Sequence, residues 1–155
     1  MKYVRIRKAK HRDITDCASL KTSNNKKISK EKELLTKKTL HKYLNDECTT
    51  ILVAEDESGI VGYIVYHFDE WNNSIHIDQL YVRLDKQRQG IGSKILNDVI
   101  TRAKKQKIRI IFLETAKTGG AIKFYEKNGF SYAGHIDGMY DEENGDAVVM
   151  NRKCD

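Results

Sequence analysis

Leu80-Tyr81-Val82-Arg83-Leu84-Asp85-Lys86-Gln87-Arg88-Gln89-Gly90-Ile91-Gly92-Ser93-Lys94-Ile95-Leu96 is the stretch on which the reading of this chain turns. Upstream, residues 74–83 have the composition of a strand. Downstream, from Ser93 to Lys105, Ile95, Leu96, Val99, Ile100 and Ala103 recur at helical spacing, with Asn97, Asp98, Arg102, Lys104 and Lys105 on the other side. Gln87–Gly92 therefore joins a strand to the start of a helix. There the first N–H groups have no intrahelical partner and the helix dipole leaves partial positive charge. Gly90 and Gly92 remove side chains that would block close approach, and Lys86 and Arg88 add full charges. A pyrophosphate suits such a loop. Taken alone, a Gly-x-Gly pair is also an ordinary turn from strand to helix. The Gly-Lys-Ser/Thr of a Walker loop is missing, as is the first glycine of the dinucleotide fingerprint.

The rest of the chain supplies regular elements on either side. Residues 3–8 alternate Val4 and Ile6 against Arg5 and Arg7, which predicts a strand with one face buried. Asp13 is placed to cap a short helix through Leu20, and a longer helix runs from about Ser29 to Leu44. Ile51–Glu55 and Ile60–Phe68 read as a hairpin across Asp56-Glu57-Ser58-Gly59, and a third strand, Ser74–Arg83, completes an expected antiparallel meander. Ile108–Leu113 has the near-continuous apolar sequence of a strand buried on both faces. A helix over Gly119–Lys127 follows, closed by Asn128-Gly129, and strands at Phe130–Ile136 and Ala147–Asn151 come last. The expected order is β-α-α-β-β-β-α-β-α-β-β in a single domain over residues 1–155, an α/β fold with a mixed sheet and helices on both faces.

That order, the loop and the blocks around it resemble the GNAT superfamily of N-acetyltransferases. Gln87-Arg88-Gln89-Gly90-Ile91-Gly92 is similar to its Gln/Arg-x-x-Gly-x-Gly/Ala acetyl-CoA signature. The resemblance extends from Leu80-Tyr81-Val82 to Leu113-Glu114-Thr115 and Ala121-Ile122-Lys123-Phe124-Tyr125-Glu126-Lys127-Asn128-Gly129-Phe130, about half the chain. It implies a largely antiparallel sheet splayed at the cofactor site. It also implies that Gln87, Arg88, Gln89, Gly90, Ile91 and Gly92 hold the pyrophosphate of acetyl-CoA by main-chain amides, with Ser93 adding a hydroxyl. Leu80, Tyr81 and Val82 would face the pantetheine arm and the developing oxyanion. Tyr125 would be the general acid that protonates the departing thiolate. Thr118 stands where many members carry an asparagine near the cofactor.

Direct transfer needs a neutral amine, and the strand before the signature offers His76 and Asp78 on one face as candidate bases. Glu114 is a further candidate, with a position at the surface or supporting the site from behind as the other reading. Met139-Tyr140 and the segment Asp146–Met150 resemble the protein N-terminal branch, of ribosomal-protein-alanine type, and there Tyr140 would bind the acceptor. Met139 replaces the first tyrosine of that branch's pair. The alternative acceptor is a polyamine, amino sugar or other small amine attracted by Asp137, Asp141, Glu142, Glu143 and Asp146. A non-catalytic acyl-CoA-binding module would share the loop, and Tyr125 argues for turnover against it.

Composition bounds these readings. The chain has 155 residues, 28 Lys and Arg against 22 Asp and Glu, and no proline. The net charge of +6 gives no reason by itself to expect nucleic acid as a partner. Cys17, Cys48 and Cys154 match no metal or redox spacing, so free thiols in a reducing, cytoplasmic setting are expected, with no metal. No apolar block is long enough for a leader or membrane span, so no membrane partner is expected. The assembly expected is a monomer or homodimer.

Overall fold

β-Branched residues at Ile51, Val53, Ile60, Val61, Ile64 and Val65, with a tight turn between the two runs, build a hairpin. The computed structural model describes residues 3–24, 29–140 and 145–155. Its elements are β1 (Arg5–Lys8), α1 (Ile14–Ser23), α2 (Lys30–Leu44), β2 (Thr49–Asp56), β3 (Gly59–Asp69), β4 (Ser74–Val82), α3 (Ile91–Lys105), β5 (Ile110–Ala116), α4 (Ala121–Lys127), β6 (Ser131–Ile136) and β7 (Ala147–Lys153). Short 3-10 turns at His11–Asp13 and Leu84–Lys86 are added to the expected order. Hydrogen-bonded strands run β1-β2-β3-β4-β5-β7-β6.

The chain forms two compact units, one of residues 1–67 and 79–98, the other of 68–78 and 99–155. In the first, β2 pairs antiparallel with β1 and β3, and Ile14, Cys17, Ala18 and Leu20 of α1 pack with Leu40 of α2 over Ile51, Val53, Tyr63 and Val65. Burying each of the Ile, Leu and Val side chains among these contributes about 1.5–3 kcal/mol. Gly62 is needed where β3 meets β4, because a Cβ there would lie 2.9 Å from the Tyr81 carbonyl oxygen and 3.0 Å from Ile95 Cδ1.

In the second unit β7 pairs antiparallel with both β5 and β6, and β5 runs parallel to the first half of β4. Ile75 and Ile77 of β4 and Ile111 and Leu113 of β5 are buried. Ile110, Phe112 and Glu114 alternate with them at intermediate exposure. The expectation of a strand buried on both faces is thus corrected: β5 starts at Ile110 and buries one face fully, while its other face, with Phe112 against the His76 ring and Glu114 beyond it, is only partly covered. Gly129 (φ 85) closes α4, and an added Cβ would overlap the Arg152 guanidinium. No described helix is long and apolar enough to cross a membrane.

Two further expectations change. Arg7, assigned to a solvated face, is only 13% exposed at its side chain and is clasped by Asp13 (2.7 Å) and Glu55 (3.0 Å). Asp13 does not cap α1 with its side chain; its carboxylate accepts from Arg7 and from the Lys10 N–H instead. The pairing with Arg7 holds the Asp13 carboxyl below its usual range. A carboxyl depressed by folding adds stability above its unfolded pKa of about 3.9, and this is lost as pH falls through the lower folded value. Asp13→Asn should therefore destabilise the chain by about 2–4 kcal/mol at neutral pH, and the difference from wild type should shrink on acidification. Denaturant midpoints measured across pH check this.

Candidate active site

The strand-to-helix loop is formed by backbone of unusual hand. Arg88 (φ 59) and Gly90 (φ 80) both take left-handed conformations, with Gln89 between them. Gly90 accepts the first helical bond of α3 from Lys94 N–H at 2.9 Å. Ile91, Gly92 and Ser93 are thus the first helical residues, whose N–H groups find no acceptor within the helix. α3 begins at Ile91, two residues before the expected start, because Gly90 already serves as its cap. Gln87, Arg88, Gln89 and Gly90 are exposed, while Ile91 is buried and anchors the turn. The Gln87 side chain reaches back to the Val82 carbonyl (3.0 Å), and that of Gln89 to the Asp85 carbonyl (3.1 Å). Successive amides beside left-handed residues make a concave anion cradle, so the residues present fit a pyrophosphate.

Two details differ from the sequence reading. Lys86, expected to lend charge to the loop, is bound to Asp56 at 2.9 Å, and the Asp56 carboxyl is held well below its usual range by Ser58 first and by Lys86 next. The positive side chain left at the loop is Arg88. The Val82 carbonyl, expected to face the cofactor, accepts from the side chains of Asn24 (2.9 Å) and Gln87. Leu80, Tyr81 and Val82 are all partly exposed on β4, and the Tyr81 ring stacks on buried Tyr63 at 5.6 Å. The Tyr63 hydroxyl donates to Gln79 Oε1 at 2.9 Å, which orders this end of the strand.

The second unit holds the titratable groups. The β4–β5 register pairs His76 with Phe112 and ends at Ile77–Leu113, while β4 runs on to Val82. His76 stacks on Phe112 at 4.8 Å, and its Nε2 lies 2.6 Å from Glu114 Oε2. Because a carboxylate only accepts, Nε2 is the donor, and in the neutral ring this leaves Nδ1 as the acceptor nitrogen. Burial, and then the Glu114 carboxylate, raise the Tyr140 phenol above its ordinary range. His76, Glu114 and Tyr140 therefore make one electrostatic cluster. Asp78, the other candidate base, is exposed on β4.

Glu114 as a partner for His76 was not legible in the sequence, since no local pattern reveals the register of two parallel strands separated by a helix. Tyr125 is 8% exposed in α4, with edge contacts to Phe124 (5.1 Å) and Phe130 (5.6 Å). Thr118 lies exposed in the bend before α4. Asp146 accepts from the Gly138 N–H at 2.9 Å and so closes its own loop instead of awaiting a ligand. Asp137 is exposed; Asp141, Glu142 and Glu143, invoked for a cationic acceptor, lie outside the described residues. The thiol of Cys17 is fully buried and pushed up to about 12, chiefly by burial, so it carries no thiolate at neutral pH.

Residues 12–130 match the acetyltransferase (GNAT) family. The chain belongs to that family. Its fold is shared with a GNAT-family acetyltransferase from Desulfovibrio desulfuricans, at a TM-score of 0.86 and 17% identity over 99% of this chain and 100% of the other. The ribosomal-protein-S18-alanine N-acetyltransferase of Escherichia coli gives 0.81 at 19% identity, covering 98% and 94%. A spermidine N-acetyltransferase from Vibrio cholerae gives 0.80 at 18%, covering 97% and 94%. At these identities the likeness is one of fold, and the N-terminal branch does not stand out among the relatives. This acetyltransferase is an enzyme of the acetyl-CoA-dependent class.

Gly90 and Gly62 should respond differently to alanine. At Gly90 an added Cβ meets nothing within 4 Å but must sit at φ 80, so Gly90→Ala strains the loop by about 1–2 kcal/mol and should weaken coenzyme A binding about tenfold while the fold persists. Gly62→Ala instead presses on the Tyr81 carbonyl and should lower stability by about 1–3 kcal/mol. Calorimetric titration with coenzyme A and thermal melts separate the two effects.

Proposed function

We propose that this enzyme moves the acetyl group of acetyl-CoA to the primary amine of a small cationic molecule, of polyamine or amino-sugar class, by direct attack. The observation that carries the reading is the His76–Glu114 pair at 2.6 Å beside Tyr140. It sets a carboxylate and an imidazole together where a cationic amine is both attracted and deprotonated. Asp78, on the same face of β4 as His76, adds negative charge. Spermidine and nourseothricin acetyltransferases are among the proteins that share the fold, which is consistent with a small acceptor.

In this reading the amides of Gln87–Ser93 hold the pyrophosphate, Leu80–Val82 line the pantetheine arm, and acetyl-CoA supplies the thioester. Thr118, at the mouth of α4, is assigned to the same cofactor. His76, oriented by Glu114, is assigned the ammonium proton, taken directly or by way of one water. The freed amine attacks the acetyl carbon, and the backbone at Leu80–Val82 stabilises the oxyanion. As the C–S bond breaks, Tyr125 gives its phenolic proton to the departing sulfur, and the nitrogen's second proton returns to the Tyr125 phenolate by way of solvent, leaving a neutral amide and free thiol. The Cys17 and Cys154 thiols are both raised by burial, which supports direct transfer over an acetyl-cysteine stage at either of them.

A second acceptor, the α-amine of a protein N-terminus, is favoured by one feature: Tyr140 is half-buried beside Glu114, as a residue gripping a peptide main chain would be. An α-amine also needs less deprotonation, its reference pKa being about 8.

Release of free thiol from acetyl-CoA, followed with polyamine, amino-sugar and peptide acceptors, tests the proposal. Turnover confined to peptides would replace the small acceptor with the second reading, and cofactor binding without turnover would leave a binding module. Tyr125→Phe should lower kcat about tenfold to a hundredfold with little change in coenzyme A affinity, and His76→Gln about a hundredfold. Steady-state kinetics read both.

A further inference from the structure

The far end of α3 carries a second concentration of charge, within the 68–78 and 99–155 unit. Lys104 from the last turn of α3, Lys107 and Arg109 from the segment leading into β5, and Lys153 from the end of β7 line one depression of about 530 Å³. Asp155 is the one acidic side chain in that lining. Several other cations are paired, as are Arg7 with Asp13, Arg83 with Asp85 and Lys86 with Asp56. Among the described residues, Lys104, Lys107 and Lys153 make no such ion pair. The Arg109 side chain is held in place, its Nε donating to the Asn72 carbonyl at 3.3 Å. Cys154, at the floor, is 6% exposed and stays a neutral thiol, so it subtracts no charge.

Lys107 is the least expected of these. α3 ends in a Schellman motif, with Lys107 N–H bonded to the Lys104 carbonyl (3.1 Å) and Ile108 N–H to the Ala103 carbonyl (2.9 Å). The residue past the cap must then be left-handed, and Lys107 has φ 56 where glycine would sit without strain. Helix-dipole compensation accounts for Lys104 and Lys105 in the last turn, but not for a strained lysine outside the helix, nor for Arg109 and Lys153 converging from other elements.

We propose that this depression is a binding site for a small oligophosphate anion, distinct from the loop at Gly90. Its cations converge on one concave spot, whereas a site for single-stranded nucleic acid runs along a groove and interleaves aromatic rings with the charges. The lining contains no aromatic residue. A compact anion with two or more phosphate groups matches both the size and the convergence.

Inorganic triphosphate, titrated calorimetrically into the full chain at low and moderate salt, is the direct test, and acetyl transfer plays no part in the readout. Salt-sensitive binding is expected, weakened about two- to fivefold by Lys107→Gly alone and at least about tenfold by Lys104→Gln, Lys107→Gly and Lys153→Gln together. Lys107→Gly also relaxes the left-handed strain, so its thermal midpoint should equal or exceed that of wild type. A folded variant with weaker binding is thereby secured as a control. No binding to the wild-type chain, or equal affinity in the triple variant, overturns the proposal. So does tighter binding of a single-stranded oligonucleotide than of triphosphate, which would make the occupant a nucleic acid.

Discussion

The constraint on which the rest of the structure depends is the turn from β4 into α3. Between Val82 and Ile91 the chain must reverse from an extended strand into a helix while keeping several backbone amides pointing outward. It does so with a 3-10 turn at Leu84–Lys86 and two left-handed residues, Arg88 and Gly90. Amides exposed this way are costly unless water or an anion meets them. The turn is therefore a place where the fold leaves backbone hydrogen bonding to be completed by water or by an anion. Side chains reinforce the geometry from behind: Gln87 and Asn24 tie down the Val82 carbonyl, and the absent side chain at Gly62 lets β3 lie against Tyr81.

Charge is distributed in keeping with this. Cations that do structural work are neutralised locally, Arg7 by Asp13 and Glu55 and Lys86 by Asp56. Such pairs add little as isolated surface contacts but matter where burial leaves one partner without water. Among the described residues, Lys104, Lys107 and Lys153 make no ion pair, and they gather with Arg109 at the end of α3. Acidic groups also take different roles according to their surroundings. Asp146 closes a loop, Asp13 anchors an arginine, and Glu114 orients an imidazole.

The chemistry proposed for the second unit rests on the sheet's alternation. Along β4 and β5 the inward side chains Ile75, Ile77, Ile111 and Leu113 are buried, and the same alternation turns His76, Phe112 and Glu114 to the opposite face. Phe112 stacks on His76, which limits the imidazole's rotation, and Glu114 selects its tautomer. Restricting a side chain before substrate arrives lowers the entropic cost of using it.

By itself the sequence determined the order of elements, the amphipathic α3, the glycine-dependent loop and the block around Tyr125. Each is written in residues close together in the chain, as apolar period, turn chemistry or helix cap. Element ends were less legible: Asp13 has a capping residue's identity but spends its carboxylate on Arg7, and Ile108–Leu113 reads as buried on both faces because composition does not report which neighbours cover a strand. Only the tertiary structure decided that His76 meets Glu114 and that Lys86 is bound to Asp56. It alone brings Lys104, Lys107, Arg109 and Lys153 around one depression. The reason is physical: these contacts depend on strand register and on side chains far apart in sequence, and both are set by packing of the whole chain, which no local pattern encodes.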